Sequence, residues 1–135
     1  ENTGCRAAVL PWRGRPPEGS REYSQWASVM DRVKLVVQTT SLGMHPAADT
    51  VPPLPYQLVH HGQAAMDLVY NPPGTGFMQK CREAGAVAFN GTGMLLHQGA
   101  IAFELWTGRE APVEVMRTAL KVGIGNWESG IGDRD

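Results

Sequence analysis

The sequence predicts a layered α/β domain built on a parallel sheet. Three observations carry that reading: short apolar runs that end at once in polar turns, apolar-periodic stretches between and after them, and a loop-rich composition. Residues 7–10 run into Pro11-Trp-Arg-Gly-Arg15, and residues 33–37, broken by Lys34, run into Gln38-Thr-Thr-Ser41. Residues 64–70, broken by Asp67, run into Asn71-Pro-Pro-Gly-Thr75, and residues 86–89 run into Asn90-Gly-Thr-Gly93. Runs of this length, closed by turn residues, read as strands buried on both faces. Periodicity alone leaves a short buried helix open for each of them.

Three later segments read as helices. Thr75 can cap a segment that continues to Ala84, where Gly85 supplies a stop. Residues 94–106 form the longest apolar-periodic stretch, with Gly108 just beyond it. Pro112 opens the last helix, with Val113, Met116 and Leu120 on one stripe and Gly123 as terminator. Strand alternating with helix implies right-handed crossovers in one sheet. Residues 45–55 hold four prolines and read as a stiff connection. Residues 1–4 read as the frayed end of a helix stopped by Gly4. The sheet is therefore expected to be incomplete at its N-terminal edge. The expected division is residues 1–122 as sheet plus closing helices, with 123–135 a flexible, glycine-rich tail.

Composition narrows the function classes. A chain of 135 residues with 42% hydrophobic residues can bury a sizeable core in one domain. Twelve basic against 13 acidic residues give a net charge of -1. That balance excludes partners held by bulk positive charge, so neither nucleic acid nor a membrane surface is expected. Cys5 and Cys81 lie 76 positions apart and match no metal or redox spacing. None of the four histidines has metal spacing either. No metal is expected, and a reducing, cytoplasmic setting is. Glycine and proline together make about 19% of the chain, against about 12% typically, so loops are abundant. The sequence holds no G-x-G-x-x-G and no G-x-x-x-x-G-K phosphate loop.

Ligands of open parallel sheets bind beyond the carboxyl ends of the strands. The four turns should therefore converge on one edge, around one pocket bearing Thr39, Tyr70, Gly91 and Gln98. Thr39 and Thr40 offer hydroxyls to a cofactor, or serve their own turn. Asp67, inside an apolar strand, needs hydrogen bonds and is expected to tie down a neighbouring loop. Tyr70 can point a phenol into the crevice or be core. Gly91 lets backbone approach a flat ring, and Asn90 or Thr92 can cap the helix that follows. Met94, Ile101 and Leu105 line one helical face with Gln98 in its middle. That amide would satisfy either a polar ligand or a buried backbone group. Met30, Met66, Met78 and Met116 read as core filler. Arg13 and Arg15 suit a 2′-phosphate, favouring NADP over NAD, or are solvated loop charges.

Four linked motifs carry a resemblance. Gln38-Thr-Thr-Ser-Leu-Gly-Met44, Asp67-Leu-Val-Tyr-Asn-Pro72 with Thr75, Asn90-Gly-Thr-Gly-Met-Leu-Leu-His-Gln98 and Phe103-Glu-Leu-Trp-Thr-Gly108 occur in order. Together they resemble the cofactor domain of the shikimate/quinate dehydrogenase family. The resemblance implies a Rossmann-like fold and an NADP-dependent oxidoreductase interconverting 3-dehydroshikimate and shikimate, in aromatic amino acid biosynthesis, with NAD as the alternative cofactor. It implies substrate contacts from Tyr70 and Gln98, a nicotinamide pocket from Leu68, Gly91 and Met94, and Thr39 and Thr40 along the cofactor. Arg13 would be the phosphate-binding arginine.

The departures are equally specific. Between Arg13 and Gln38 the chain reads as shorter than the family pattern, as if most of one helix were missing. Gln38 stands where the family has asparagine. In the family a lysine and an aspartate from an N-terminal substrate domain transfer the proton; here Lys34, Lys80 and Lys121 are the only lysines, and none sits in a matching context. No catalytic residue is therefore assigned within this chain, which alone is expected to be inactive. The missing N-terminal substrate domain is its expected partner, and a homo-oligomer is a further one. The rival reading is a non-catalytic ligand- or partner-binding module derived from the same fold.

Overall fold

The computed structural model describes Gly14 and residues 16–124. The first expected strand, residues 7–10, and the expected tail after residue 124 lie outside them, as do Arg13, Arg15 and Cys5.

Three parallel strands, β1 (Leu35–Gln38), β2 (Ala64–Asp67) and β3 (Val87–Phe89), form a sheet in the order β1-β2-β3. Leu35 lies beside Ala64 and Gln38 beside Asp67, while Ala64 lies beside Val87 and Met66 beside Phe89. The register is straight, so the three carboxyl ends share one edge. All three strands are shorter than their apolar runs, β1 and β2 for visible reasons. Val33 donates to the Met30 carbonyl at 3.3 Å and so belongs to the turn before β1. Beyond Asp67, the carboxylate itself takes the Val69 N–H at 2.9 Å, which turns the chain out of the ladder.

Alternation sorts the side chains. Val36, Ala65 and Ala88 face a core of Met30, Val59, Phe77, Met78, Cys81 and Ala86. That face is covered by helix α1 (Arg21–Met30), by the long connection after β1, and by helix α2 (Gly76–Glu83). On the opposite face Leu35, Val37 and Val87 stay 43–53% exposed. Burial on both faces, the expectation for these strands, thus holds for one face only, the one that the core residues of α1 and α2 cover.

Helix α1 was not foreseen. It occupies the stretch that reads as short of a helix, and Ser20 caps it by accepting from the Tyr23 N–H at 3.0 Å. Its C-terminal end is fixed by Gln63, which is buried. The Gln63 amide donates to the Met30 carbonyl at 2.7 Å and the Val33 carbonyl at 3.0 Å, and its oxygen accepts from the His60 N–H. The proline-rich connection carries one short 3-10 turn, Tyr56–Leu58. It lays Val51, Leu54, Tyr56 and Val59 on the core in the place of a crossover helix.

The later helices follow their signals. Thr75 caps α2 by accepting from the Met78 N–H at 3.3 Å, and Gly85 ends it at a φ of +94°. Helix α3 (Thr92–Thr107) stops at Gly108, which has a left-handed φ of 65°. Helix α4 (Val113–Ile124) packs on α3 with Val113, Met116 and Leu120 half-buried; the Met116 methyl lies 3.3 Å from where a Cβ on Gly99 would stand. Gly123 does not terminate α4, which runs through it to Ile124. The expected stripe on α3 is also revised. Gln98, Ile101 and Leu105 are exposed and Met94 half-buried, whereas Thr92, Leu96 and Ala100 are buried. The helix is apolar nearly all round, so periodicity does not choose a face.

Replacing Gln63 by Met should lower unfolding free energy by about 1–3 kcal/mol, because the Val33 carbonyl and the His60 N–H lose the Gln63 bond and the Met30 carbonyl keeps only the Val33 N–H. Urea unfolding measures it.

Candidate functional site

The carboxyl edge is built by three corners, and the sequence makes each out of residues that leave the ladder by hydrogen-bonding sideways. At the first corner Gln38 is buried. Its Nε2 donates to the Leu42 carbonyl at 3.0 Å and to Asp67 Oδ1 at 3.3 Å, and its Oε1 accepts from the Thr40 N–H. Thr40 Oγ1 in turn accepts from the Leu42 N–H at 3.2 Å, the local turn weighed for this segment. Thr39 and Thr40 themselves are exposed. Gly43, at a φ of +85°, folds the corner back so closely that a Cβ there would stand 3.3 Å from the Thr75 side chain.

The second corner starts at Asp67, which has no solvent exposure. Its Oδ2 accepts from the Thr75 hydroxyl at 2.5 Å, and its Oδ1 accepts from the Val69 N–H and from Gln38. The expectation that Asp67 ties down a loop is met twice over. Burial raises its pKa above the carboxylate value, while the hydrogen bonds from Thr75 and Val69 pull it back. Asp67 also adds to the burial that lifts the nearby Cys81 thiol to about 11, so that thiol is not a nucleophile. Tyr70 is 38% exposed, which removes the reading of it as core.

The third corner closes on the second. The Gly91 N–H donates to the Val69 carbonyl at 3.1 Å. A Cβ on Gly91 would stand 2.2 Å from the Leu68 carbonyl oxygen, so only glycine fits. The close approach expected at Gly91 is therefore made to the neighbouring backbone. Gly93 has open space around it and carries no such requirement. Asn90 donates to the Pro73 carbonyl at 3.0 Å and accepts from the Thr92 N–H at 3.1 Å, tying this corner to the loop after Tyr70. Thr92 does not cap α3; its hydroxyl is buried with no hydrogen-bond partner.

The structure thus places the corners bearing Thr39, Tyr70 and Gly91 on one edge. Gln98 lies seven residues along α3 from Gly91, about 10 Å at helical rise, with its amide exposed rather than serving a buried backbone group. Met94 sits between them, half-buried. A surface depression lined by Glu104, Gly108, Arg109 and Glu110 lies at the far end of α3 and takes no part in this edge. Sequence reasoning missed Gln63, whose only signal was an amide just before a strand.

A three-stranded parallel sheet with helices packed on it, its strand ends tied into one polar edge, defines a Rossmann-like α/β protein. A family model described as Shikimate 5'-dehydrogenase C-terminal domain matches residues 91–121. The shikimate dehydrogenase (NADP(+)) of Desulforamulus reducens is 44% identical over 120 residues, which is 89% of this chain and 38% of that protein. The Methanopyrus kandleri enzyme of the same name is 50% identical over 86 residues, 64% of this chain and 30% of its own length. A crystal structure of shikimate dehydrogenase in complex with NADP+ superposes with a TM-score of 0.66 at 37% identity, over 70% of this chain and 33% of that one. The Listeria monocytogenes shikimate 5-dehydrogenase, in complex with shikimate and NAD, gives the same TM-score at 30% identity, over 73% and 34%. In sequence and fold the chain is similar to the C-terminal portion of shikimate dehydrogenases. It spans about a third of the length of these relatives.

Two measurements check the corners. Gly91→Ala should cost about 1–3 kcal/mol in urea unfolding, because backbone rather than a flexible side chain must move. Asp67→Asn tests the carboxyl. With its pKa raised above the ordinary 3.8 in the folded state, native Asp67 binds a proton that the unfolded chain does not. Stability from that proton is present at low pH and lost as pH rises through the raised value. Measured against Asp67→Asn, the wild type should gain relative stability as pH falls from neutral towards 3.8.

Proposed function

We propose that this chain is the cofactor-binding portion of an NADP-dependent shikimate dehydrogenase, which reversibly reduces 3-dehydroshikimate to shikimate. The observation that carries the reading is the joined edge: Gly91 seated on Leu68, and the Thr39–Thr40 corner tied to the same strand end through Gln38 and Asp67. The sequence relatives named for NADP(+) support the choice of cofactor.

The residues present fit one end of a dinucleotide. Leu68, Gly91 and Met94 offer an apolar wall with a glycine backbone for the nicotinamide, and the buried, partnerless Thr92 hydroxyl is a polar atom that a bound group can satisfy. Thr39 and Thr40 present exposed hydroxyls along the cofactor's path. Arg13, outside the described residues, is the proposed phosphate contact. When bound, the nicotinamide supplies the hydride. This chain's own part is orientation: Tyr70 and Gln98, both exposed at or beside the edge, hold the substrate's carboxylate and hydroxyls in near-attack geometry. The proton for the developing alkoxide comes from an N-terminal substrate domain of the kind the longer relatives have room for. That domain would cover the apolar residues Ile101, Leu105, Trp106 and Val115, which are 58–85% exposed on α3 and α4.

The full-length protein carrying this sequence should reduce NADP+ when given shikimate. Tyr70→Phe and Gln98→Ala should each raise the shikimate KM about tenfold while leaving the NADP+ KM near wild type, a loss of about 1.4 kcal/mol per contact. Wild-type kinetics in both variants would remove these roles. Cofactor or ligand binding with no turnover of shikimate or quinate would favour the non-catalytic module.

A further inference from the structure

We propose that Gln38 is a positioning residue which, through Asp67 and Thr75, sets the Thr39–Thr40 corner against the cofactor. This rests on the reading of the carboxyl edge as a dinucleotide site.

The geometry asks for a primary amide. Gln38 meets two acceptors, the Asp67 carboxylate and the Leu42 carbonyl, and one donor, the Thr40 N–H. A group bridging them must donate twice and accept once from the end of one side chain, which a primary amide does. Glutamate would set a second carboxylate against Asp67 and could not donate. Methionine, of similar length, would offer none of the three bonds. The relay is anchored at its other end, where the Thr75 hydroxyl donates to Asp67 while accepting from the Met78 N–H at the start of α2. Gly43 then sets the corner's far end against Thr75. One buried line of hydrogen bonds therefore joins the first turn of α2 to the backbone of Thr40. Thr39 and Thr40 are exposed, so it is this line, rather than burial of their side chains, that holds the corner in place.

Gln38→Met, Thr75→Val and Thr75→Ser are made in the full-length protein, and steady-state kinetics are run with NADP+ and shikimate varied separately. Gln38→Met and Thr75→Val should raise the NADP+ KM about tenfold or more with the shikimate KM little changed, since displacing a positioned group by about 1 Å can cost up to two orders of magnitude. Thr75→Ser, which keeps the hydroxyl, should restore the wild-type value. Amide hydrogen exchange without cofactor gives a second readout: exchange across residues 39–44 should quicken about tenfold in the first two variants and not in the third. An unchanged NADP+ KM in folded Gln38→Met, or an equal rise in both KM values, overturns the proposal. So does a Thr75→Ser variant as impaired as Thr75→Val. A wild-type protein that neither binds nor reduces NADP+ fails the functional reading instead. In that case normal exchange in Gln38→Met overturns the positioning role independently.

Discussion

A single carboxylate with no access to water holds the candidate site together. Leaving Asp67 bare in an apolar strand would cost several kcal/mol. It is tolerable because three donors, from Thr75, Val69 and Gln38, converge on its two oxygens. Hydrogen bonds to a charged group are worth about 1.5–3 kcal/mol each, enough to offset much of the desolvation. Each donor also belongs to a different piece of backbone. The same contacts that satisfy the charge therefore end β2, cap α2 through Thr75 and brace the corner after β1.

The sheet around this charge is asymmetric. On one face Phe77, Met78 and Cys81 from α2 close on Ala65 and Ala88, where small strand residues let the helix approach. On the other face Leu35, Val37 and Val87 remain open. Parallel strands carry apolar residues on both faces because both are ordinarily covered. The sequence of this sheet is written for two layers, and the described residues supply one of them. The α3–α4 pair has the same character, with Trp106 and Leu105 turned to solvent.

Much of this was legible in the residues. The turns after β1, β2 and β3, the Thr75 cap and the Gly85 and Gly108 stops all arise from local chemistry, and local chemistry is what a single sequence displays. The side chosen by α3 was not legible, since a helix apolar on nearly every side has no periodic preference and its burial is decided by tertiary packing. Helix α1 was passed over because Trp26 and Met30 are its only buried residues, too few for a clear stripe. Gln38 and Gln63 were underread for a related reason. A buried amide is recognised by its partners, and theirs lie up to 33 positions away.

The seat of Gly91 on the Leu68 carbonyl has a mechanical meaning. With no gap between the two backbones and a hydrogen bond from Gly91 to Val69, the second and third corners cannot separate without breaking that bond and opening a void. Any breathing of the cleft must then carry both corners as one jaw. The opposing stretch from Thr39 to Met44 is held by side chains instead, Gln38 on Thr40 and Leu42 and Thr50 on Gly43, and can move only by giving up those bonds.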